Sequence, residues 1–547
     1  MTPPPEELAK VEWDAVVIGT GVGGATLGYA LARAGERVLF LERGENYLGN
    51  PRALRGDYME TLAASAPDSS EEDNFRNGGR WRGEIFDAAQ NRYFRPFLGA
   101  GAGGGSALYG MLMERFFPSD FTPRRFHAAD TESDLPDRWP ILYEDLRPHY
   151  EKAEELYRLQ SEIPDPCRRG EALRHIQKAR SHHLATRHFE RFLRWKKIGV
   201  YTPAFACEWK DECRFCQSML CDKDCKNDAA RVCLRPALAS HGAALLSGFT
   251  VDRLEADRGR VTAVNGRGPD GREHRFRGRR VVLAAGALAT PLLLLRSRSE
   301  HWPRGLANGS GTVGRYLMRH LIDIYFLPSV WNFRKAPQNL KELAWNDYYE
   351  VDGVKYGTFQ PFGKFPPGGL AVDDLLFEMK QNIPGWAMRG LNLLRPGLSF
   401  ALETLFAHSG CAAPIMEDLP QKENRVEEMP AGPDGRERVA VHYRISAYDR
   451  TRLKKFRRMI GRALFPYPTI RFPMAETCKM MAHACGTARF GDDPATSVLN
   501  KWNRAHEVEN LYIVDASFFP SSGGINPSLT IAANALRVAE RLIQEKC

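Results

Sequence analysis

The residues with the most evident chemistry are cysteines: six of the eleven in this 547-residue chain lie within 207–233. The core of this run is Cys216-x4-Cys221-x3-Cys225. Thiolates at such short spacing can turn toward one point, as they do around iron–sulfur clusters. Zinc is a second candidate, because Cys213 with Cys216 and Cys221 with Cys225 resemble two ligand pairs. Free thiols or disulfides are a third. The sequence therefore predicts a metal site at Cys216, Cys221 and Cys225 and leaves its occupant open.

A dinucleotide-binding fingerprint opens the chain. The apolar run DAVVI (14–18) precedes a G-x-G-x-x-G turn, a helical stretch and a second apolar run that ends in an acid. In this strand–turn–helix–strand order, the glycines let the backbone approach a pyrophosphate at a helix N-terminus, and the acid binds a ribose hydroxyl. The motif does not separate FAD from NAD. The candidate cofactor residues are Gly19, Gly21, Gly23, Gly24, Glu42 and Arg43.

A second glycine-rich stretch, GAGAGGGSALYGM, occupies 99–111. So many glycines suit a backbone that lies against a large planar ligand. A flexible surface loop is the alternative, but the flanking apolar residues and the lack of acids within the stretch argue against it. The candidate contacts here are Gly103, Gly104, Ser106, Tyr109, Gly110 and Met111.

Two later segments complete the pattern of a flavin domain. RVVLAAGALAT (280–290) predicts a strand and a small-residue turn, and LYIVDAS (511–517) predicts a strand that ends at Asp515. A helix that begins at Asn526-Pro527 would direct its positive end toward a ligand, where it could stabilise negative charge on a reduced flavin ring. The candidate contacts are Ala285, Asp515, Ala516, Asn526 and Pro527.

Composition limits the class of protein. The chain is 43% hydrophobic and 26% charged, which is typical of a soluble globular protein, and its length suggests about two to four domains. Its net charge of +9 is dispersed among acids, and no nucleic-acid-binding motif accompanies it. The sequence contains no run of about 18 apolar residues, so it predicts no membrane-spanning helix. The N-terminus does not resemble a secretory signal, which favours a cytoplasmic protein; export with a signal-bearing partner stays open.

Together these segments resemble the glucose–methanol–choline (GMC) oxidoreductase family. The resemblance rests on the nucleotide-binding opening, GGGSALYGM (103–111), AAGALATP (284–291), VGRYLM (313–318) and the whole segment from 481. It implies an α/β fold: a Rossmann-like FAD-binding domain with a discontinuous α+β substrate domain that contains an antiparallel sheet. It also implies two residues beside the reactive edge of FAD, which map to His483 in HACGT and Asn526 in INP. His483 would be the base that takes the proton of a CH–OH group, and Asn526 would orient the hydroxyl.

The cysteine run is similar to the three-cysteine site of glucose dehydrogenase catalytic subunits. This resemblance implies a [3Fe–4S] cluster at Cys216, Cys221 and Cys225 that passes electrons to a cytochrome or another acceptor protein. One alternative is an oxidase that uses oxygen directly and carries structural zinc or free thiols. Another is a flavin-binding electron-transfer partner without turnover. Two positions depart from the family pattern: Tyr109 stands where an asparagine is common, and Arg319 stands in place of an acid.

The resemblance predicts a discontinuous domain organisation. The FAD-binding domain would comprise 1–125, 207–330 and 480–547, with a helical insertion at 126–206 and a substrate domain at 331–479. Within the last of these, the apolar insert 384–406 is interpreted first as core, with a lid, a partner surface or a hydrophobic mouth as alternatives. The small-molecule substrate, whether alcohol, sugar or sterol-like compound, is not determined by the sequence.

Overall fold

The fold is known from a computed structural model of the chain. It describes residues 4–50, 56–58, 78–81, 83–168, 171, 177–178, 184–210, 213–214, 216–330, 341–363, 365–380, 383–433, 435–478 and 481–545. The α-helices of eight or more residues are Val22–Arg33, Tyr143–Leu156, Leu184–Trp195, Ala289–Arg296, Gly368–Met379, Gly385–Ala407, Ala447–Leu464 and Ser528–Gln544. In this described part, no helix is both long and apolar enough to cross a membrane.

The first sheet forms the predicted nucleotide-binding half. Its parallel part runs in the order Ala244–Ser247, Val38–Glu42, Glu12–Ile18, Glu273–Leu283 and Leu511–Ile513. The N-terminal half of Glu273–Leu283 continues into an antiparallel meander with Val261–Arg267 and Thr250–Ala256. The apolar runs 14–18 and 38–41 are buried throughout, as expected for parallel strands covered on both faces.

Helix Val22–Arg33 packs on this sheet and against helix Ser528–Gln544, which in turn contacts helix Tyr143–Leu156. Gly28 permits the close approach of the first helix, because a Cβ at this position would overlap the ring of Phe40. The glycine-rich turn at 19–24 is thereby fixed between a buried strand and a buried helix.

The second sheet is antiparallel, as the resemblance implies. Its strands are, in order, Ile470–Phe472, Ile324–Pro328, Ser409–Met416, Gly357–Pro361, Ala344–Trp345 and Val200–Tyr201, with Leu321–Ile322 also paired to Ser409–Met416. Helix Ala447–Leu464 covers it through Phe456, Ile460 and Leu464. A smaller sheet contains Arg425–Glu428, Arg438–His442, Glu84–Asp87 and Arg92–Phe94. Strands of the second sheet thus come from both sides of position 331, and the predicted domain limits stay a prediction.

The first interpretation of the apolar insert 384–406, as core, is wrong. The segment forms the helix Gly385–Ala407, in which Met388 is the one buried side chain. Trp386, Leu393 and Phe400 are 73%, 83% and 75% exposed. These apolar side chains therefore lie outside the core that the described residues form.

Candidate active site

The first glycine turn has the geometry that a pyrophosphate requires. A Cβ at Gly19, Gly23 or Gly24 would overlap neighbouring backbone, so these positions hold the turn close to the sheet. At Gly21, by contrast, an added Cβ would meet no atom within 4 Å. Helix Val22–Arg33 begins directly after it, so the open space lies at the positive end of a helix.

The second glycine loop lies directly against the first. Gly104 has a φ of 52°, and a Cβ there would come within 2.8 Å of the Gly21 Cα atom. The next residue, Gly105, again faces open space. Inside the loop, the Ser106 hydroxyl donates to the Gly103 carbonyl over 2.6 Å. Two predicted cofactor segments, about 80 positions apart in sequence, are therefore brought together with no side chain between them.

The acid at the end of the second strand lies beside this turn. The Glu42 carboxylate accepts hydrogen bonds from the Thr20 amide (2.9 Å), the Thr20 hydroxyl (2.6 Å) and the Gly44 amide (2.9 Å). Arg43 points elsewhere and pairs with Glu437 over 2.5 Å. Glu42 thus lies beside the first glycine turn, as a ribose ligand would, whereas Arg43 pairs with the residue that precedes strand Arg438–His442 of the four-stranded sheet.

Hydrogen bonds connect the candidate cofactor residues near the C-terminal end of the chain, Asp515 and Ala516, to two earlier segments. The Asp515 carboxylate accepts from the Gly286 amide (2.9 Å), beside Ala285, and from the Ser517 amide (2.8 Å). Burial raises the pKa of Asp515. The carbonyl of Ala516 accepts from the Gly486 amide over 3.1 Å, which ties these residues to the HACGT segment.

A pair of histidines forms the chemical centre of the site. The Nδ1 atoms of His483 and His320 are 3.0 Å apart, with their rings perpendicular. The Nε2 atom of His320 lies 3.1 Å and 3.0 Å from the carbonyl oxygens of Ser522 and Gly523. Reciprocal backbone hydrogen bonds between Met318 and Cys485 hold the two histidine segments side by side. His320 was missed by the sequence analysis, although it directly follows the departure at Arg319.

These contacts fix the tautomers of both rings. Carbonyl oxygens only accept hydrogen bonds, so the Nε2 atom of His320 carries the proton and its Nδ1 atom is an acceptor. Burial lowers the pKa of His320, which keeps the ring neutral. The Nδ1 atom of His483 must then be the donor. Its Nε2 atom consequently has a free lone pair, which is what a general base needs.

Asn526, three residues after the Gly523 carbonyl that contacts His320, presents an unsatisfied polar atom. Its side chain is buried, and Oδ1 has no hydrogen-bond partner within the described part of the chain. Asn526 does not cap the helix that follows it, because Pro527 is the N-cap of Ser528–Gln544 and no side chain caps this helix. A buried amide oxygen without a partner is costly unless a ligand supplies one.

The two departures from the family pattern have structural partners. The Tyr109 hydroxyl donates to the Asn227 carbonyl over 2.8 Å, which directs the side chain toward the cysteine segment. Arg319 is fully buried, stacks on the ring of Tyr443 and donates to the Ala475 carbonyl over 2.7 Å. Neither residue leaves an opening at its position.

Gly110 and Met111 lie where the second glycine loop meets the cysteine segment. The buried Lys341 donates to the Gly110 carbonyl over 2.5 Å, and burial lowers its pKa far below the usual range. Met111 adopts a φ of 65°, and its carbonyl accepts from the Ala206 amide over 2.9 Å. Lys341 is a second buried residue that no sequence pattern indicated.

Thiol contacts divide the described cysteines of this segment into two groups: Cys213 contacts Cys207 and Cys225, and Cys216 contacts Cys221. The Sγ atoms of Cys207 and Cys213 are 3.9 Å apart, and Cys221 accepts from the Cys225 amide over 3.3 Å. A hydrogen bond from Cys216 is the main reason that the pKa of Cys221 falls to about 5. Among the residues that the structure describes, however, no group of three or more ligating side chains has metal-binding geometry. The set Cys216, Cys221 and Cys225 therefore stays a prediction.

A buried ionic network supports the loop that carries Asn526. The Gly524 amide donates to the Tyr349 hydroxyl (2.9 Å), which donates to Asp120 (2.8 Å). Lys355 lies 2.8 Å from Asp120 and 3.1 Å from Glu417, and all three charged side chains are fully buried. These residues are isolated in the sequence and gave no signal before the fold was known.

The residues present fit a bound FAD. The side-chain-free gap at Gly21 and Gly105 suits the pyrophosphate, Glu42 suits a ribose, and the buried, unpartnered Asn526 Oδ1 atom suits a polar ligand. A Rossmann-like sheet with these features, together with an antiparallel sheet, defines the class of flavin-dependent oxidoreductases.

Comparison with known proteins identifies the family. Two GMC oxidoreductase domain models match residues 196–322 and 420–535. The chain is 30% identical to paromamine 6'-oxidase of Streptomyces fradiae (96% of this chain, 91% of that one). It is 24% identical to the fructose dehydrogenase large subunit of Gluconobacter japonicus (97% and 98%). The chain belongs to the GMC oxidoreductase family and is an enzyme, which confirms the resemblance.

Solved structures share the fold. The pyridoxine 4-oxidase of Mesorbium loti superposes with a TM-score of 0.62 at 20% identity, covering 97% of this chain and 99% of that chain. The formate oxidase of Aspergillus oryzae gives a TM-score of 0.64 at 13% identity, covering 98% and 99%. The predicted fold class is therefore confirmed.

Proposed function

We propose that the protein oxidises a CH–OH group of a sugar or similar polyhydroxy compound, with FAD as the hydride acceptor and His483 as the base. The observation that carries this proposal is the hydrogen-bond chain from the Ser522 and Gly523 carbonyls through His320 to His483. It leaves one imidazole nitrogen free to accept a proton. The sugar-like substrate class is supported by the relatives named for paromamine and fructose.

Each residue then has a defined task. The Nε2 atom of His483 accepts the hydroxyl proton, while the neutral ring of His320 holds the imidazole in the required tautomer. Asn526 orients the substrate through its amide: Nδ2 donates to the oxygen of the reacting hydroxyl, and Oδ1, which lacks a partner in the described part of the chain, accepts from a neighbouring hydroxyl of the polyhydroxy compound. When bound, FAD supplies the acceptor for the carbon hydrogen and its two electrons. Asn526 is neutral, so His483 is the single strong base of the pair.

The test uses the compounds named for three relatives. The FAD-loaded protein would be mixed anaerobically with paromamine, fructose or 2-methyl-1,2-propanediol, and flavin bleaching would be followed by absorbance. We expect at least one of the first two to reduce the flavin faster than the diol. If dithionite bleaches the flavin and none of the three compounds does, the proposed substrate class is wrong.

The proposal also includes the electron acceptor. We propose that Cys216, Cys221 and Cys225 would hold an iron–sulfur cluster, which would supply a route for electrons to a cytochrome or similar acceptor protein. The cysteine segment packs directly on the second glycine loop, because Lys226 donates to the Ala107 carbonyl over 2.7 Å. Iron, zinc and flavin per chain would be measured after anaerobic purification. About three irons per FAD would support the cluster; an iron-free, active protein would instead leave oxygen as acceptor, with zinc or thiols at the cysteines.

The pH dependence of turnover tests the state of His483. Burial, together with the neighbouring His320, lowers the pKa of His483 to about 3 from a usual value near 6.5. The neutral ring is the active base, so it should persist far into the acid range. We expect the acid limb of kcat/KM to lie below about pH 5 rather than near 6.5. A limb at the ordinary histidine value would contradict this assignment.

Replacing His320 should move this limb. In His320→Ala, the enclosure of His483 decreases and the second cause of its lowered pKa is lost, so its pKa should rise toward the usual value. The acid limb of kcat/KM should then shift to higher pH, and kcat should fall by about tenfold or more because the tautomer is no longer fixed. A loss of kcat at every pH with an unmoved limb would indicate a purely structural role for His320.

A further inference from the structure

One helix of the protein presents an apolar face to solvent. Helix Gly385–Ala407 packs on helix Gly368–Met379 through a small cluster of Val372, Leu376 and Met388. Its opposite face carries the exposed side chains of Trp386, Leu393 and Phe400, described above. Exposed apolar side chains that line up on one face mark an interaction surface more often than isolated ones do.

The spacing on this face is that of a helix–helix seam. Its positions follow each other at intervals of four, three, four, three and four residues, which is the repeat of a coiled-coil interface. Large and small residues alternate strictly along it. In order, the seam consists of Trp386, Gly390, Leu393, Gly397, Phe400 and Thr404. Ahead of Gly390 and Gly397 the space is open, since an added Cβ would meet no atom within 4 Å.

We propose that a second copy of this chain covers the seam, with the two helices antiparallel about a two-fold axis. If the axis passes position 395, each large residue faces a small one on the second copy. Leu393 then faces Gly397, Phe400 faces Gly390, and Trp386 faces Thr404. The same pairs recur on the other side of the axis, as a two-fold interface requires. One register thus fills every gap in the seam.

A membrane surface fits this face less well. Helices that lie on lipid combine a continuous apolar face with a lysine- and arginine-rich polar face. Leu394 and Leu398, 60% and 39% exposed, flank the seam, but the seam itself is interrupted by glycine gaps, which a helix side chain can fill. The helix contains two basic residues, Arg389 and Arg395, and Arg395 is already paired with Asp373 on the neighbouring helix over 2.6 Å.

The size of the seam determines how tightly the proposed dimer is expected to associate. A 23-residue helix is about 35 Å long, so a single helix pair lies at the lower end of the range of stable interfaces. We therefore expect a dimer that dissociates on dilution. Sedimentation velocity of the full-length, FAD-loaded protein over a wide concentration range would measure the dissociation constant.

The decisive variant is Gly397→Leu. It makes the face more apolar and favours the helix, yet it puts leucine opposite leucine in the central layer. We expect the dissociation constant of the dimer to rise at least tenfold. The matched control is Gly461→Leu: Gly461 is also exposed, lies in helix Ala447–Leu464 and faces open space, but it is outside the seam. That variant should dimerise like the unmodified protein.

A compensating substitution distinguishes complementary packing in the seam from non-specific hydrophobic association. In Leu393→Ala with Gly397→Leu, the small and large residues exchange places and the central layer is complementary again, so dimerisation should recover. Three results would overturn the proposal: a monomer at all concentrations, a Gly397→Leu dimer as tight as the original, or failure of the double variant to recover. Flotation of the monomer with anionic phospholipid vesicles would instead identify a lipid surface.

Discussion

His483→Ala should slow the anaerobic reduction of bound FAD by an alcohol substrate by about 10²–10⁴-fold, the usual contribution of general-base catalysis. The reason is the geometry of the histidine pair: His320 accepts a hydrogen bond from the Nδ1–H group of His483, which leaves Nε2 of His483 as the proton acceptor. Within the described part of the chain, the hydrogen-bond partners of His320 include no ionisable side chain other than His483. Stopped-flow absorbance of the flavin at saturating substrate gives the rate directly.

Two measurements make this result specific. The FAD content of the variant should match that of the unmodified protein, because His483 lies outside the glycine turns that would hold the pyrophosphate. His442→Ala is the matched control: the partly exposed His442 ends the strand Arg438–His442 and pairs with Glu427 over 2.9 Å. Its loss should leave the rate unchanged. If the FAD of His483→Ala were reduced by the alcohol at the original rate, His483 would not be the base.

Local sequence patterns predicted the parts of the site that depend on local geometry. The glycine turn, the strand that ends at Glu42 and the strand before Asp515 all fold as expected, since short-range spacing determines them. The family motif assigned His483 and Asn526 to one centre, and this assignment stays a prediction. His320 could not be found in this way, because its role comes from an Nδ1 contact across 163 positions with a residue on another segment.

The assignment of the apolar insert 384–406 to the core was wrong for a different reason. The hydrophobic side chains of the insert favoured a core assignment because most apolar helices in large chains are buried. Periodicity distinguishes one face of a helix from the other, but it does not say whether the covering surface belongs to the same chain. The strict alternation of large residues with Gly390 and Gly397 was the signal that a covering helix comes from elsewhere.

The buried lysine beneath the active-site loop should matter for stability more than any surface charge. In Lys355→Met, the Asp120 and Glu417 carboxylates would remain buried without their shared cation. Burial opposes the ionisation of Glu417, yet the charge of Lys355, followed by His127 and Arg452, holds its pKa far below the usual range. Removing one member of a buried ionic group typically costs about 3–5 kcal/mol. The free energy of unfolding should fall by this amount in urea denaturation.

The comparison with an exposed lysine isolates the effect of burial. Lys455 pairs with Asp352 over 3.2 Å at the surface, so Lys455→Met removes the same charge with little change in stability. Because the Gly524 amide reaches Asp120 through Tyr349, Lys355→Met should also lower kcat/KM by displacing the loop of Asn526. Equal stability of the two lysine variants would show that the network is not ionised as described. Lost stability with unchanged turnover would show that it supports the second sheet rather than the active-site loop.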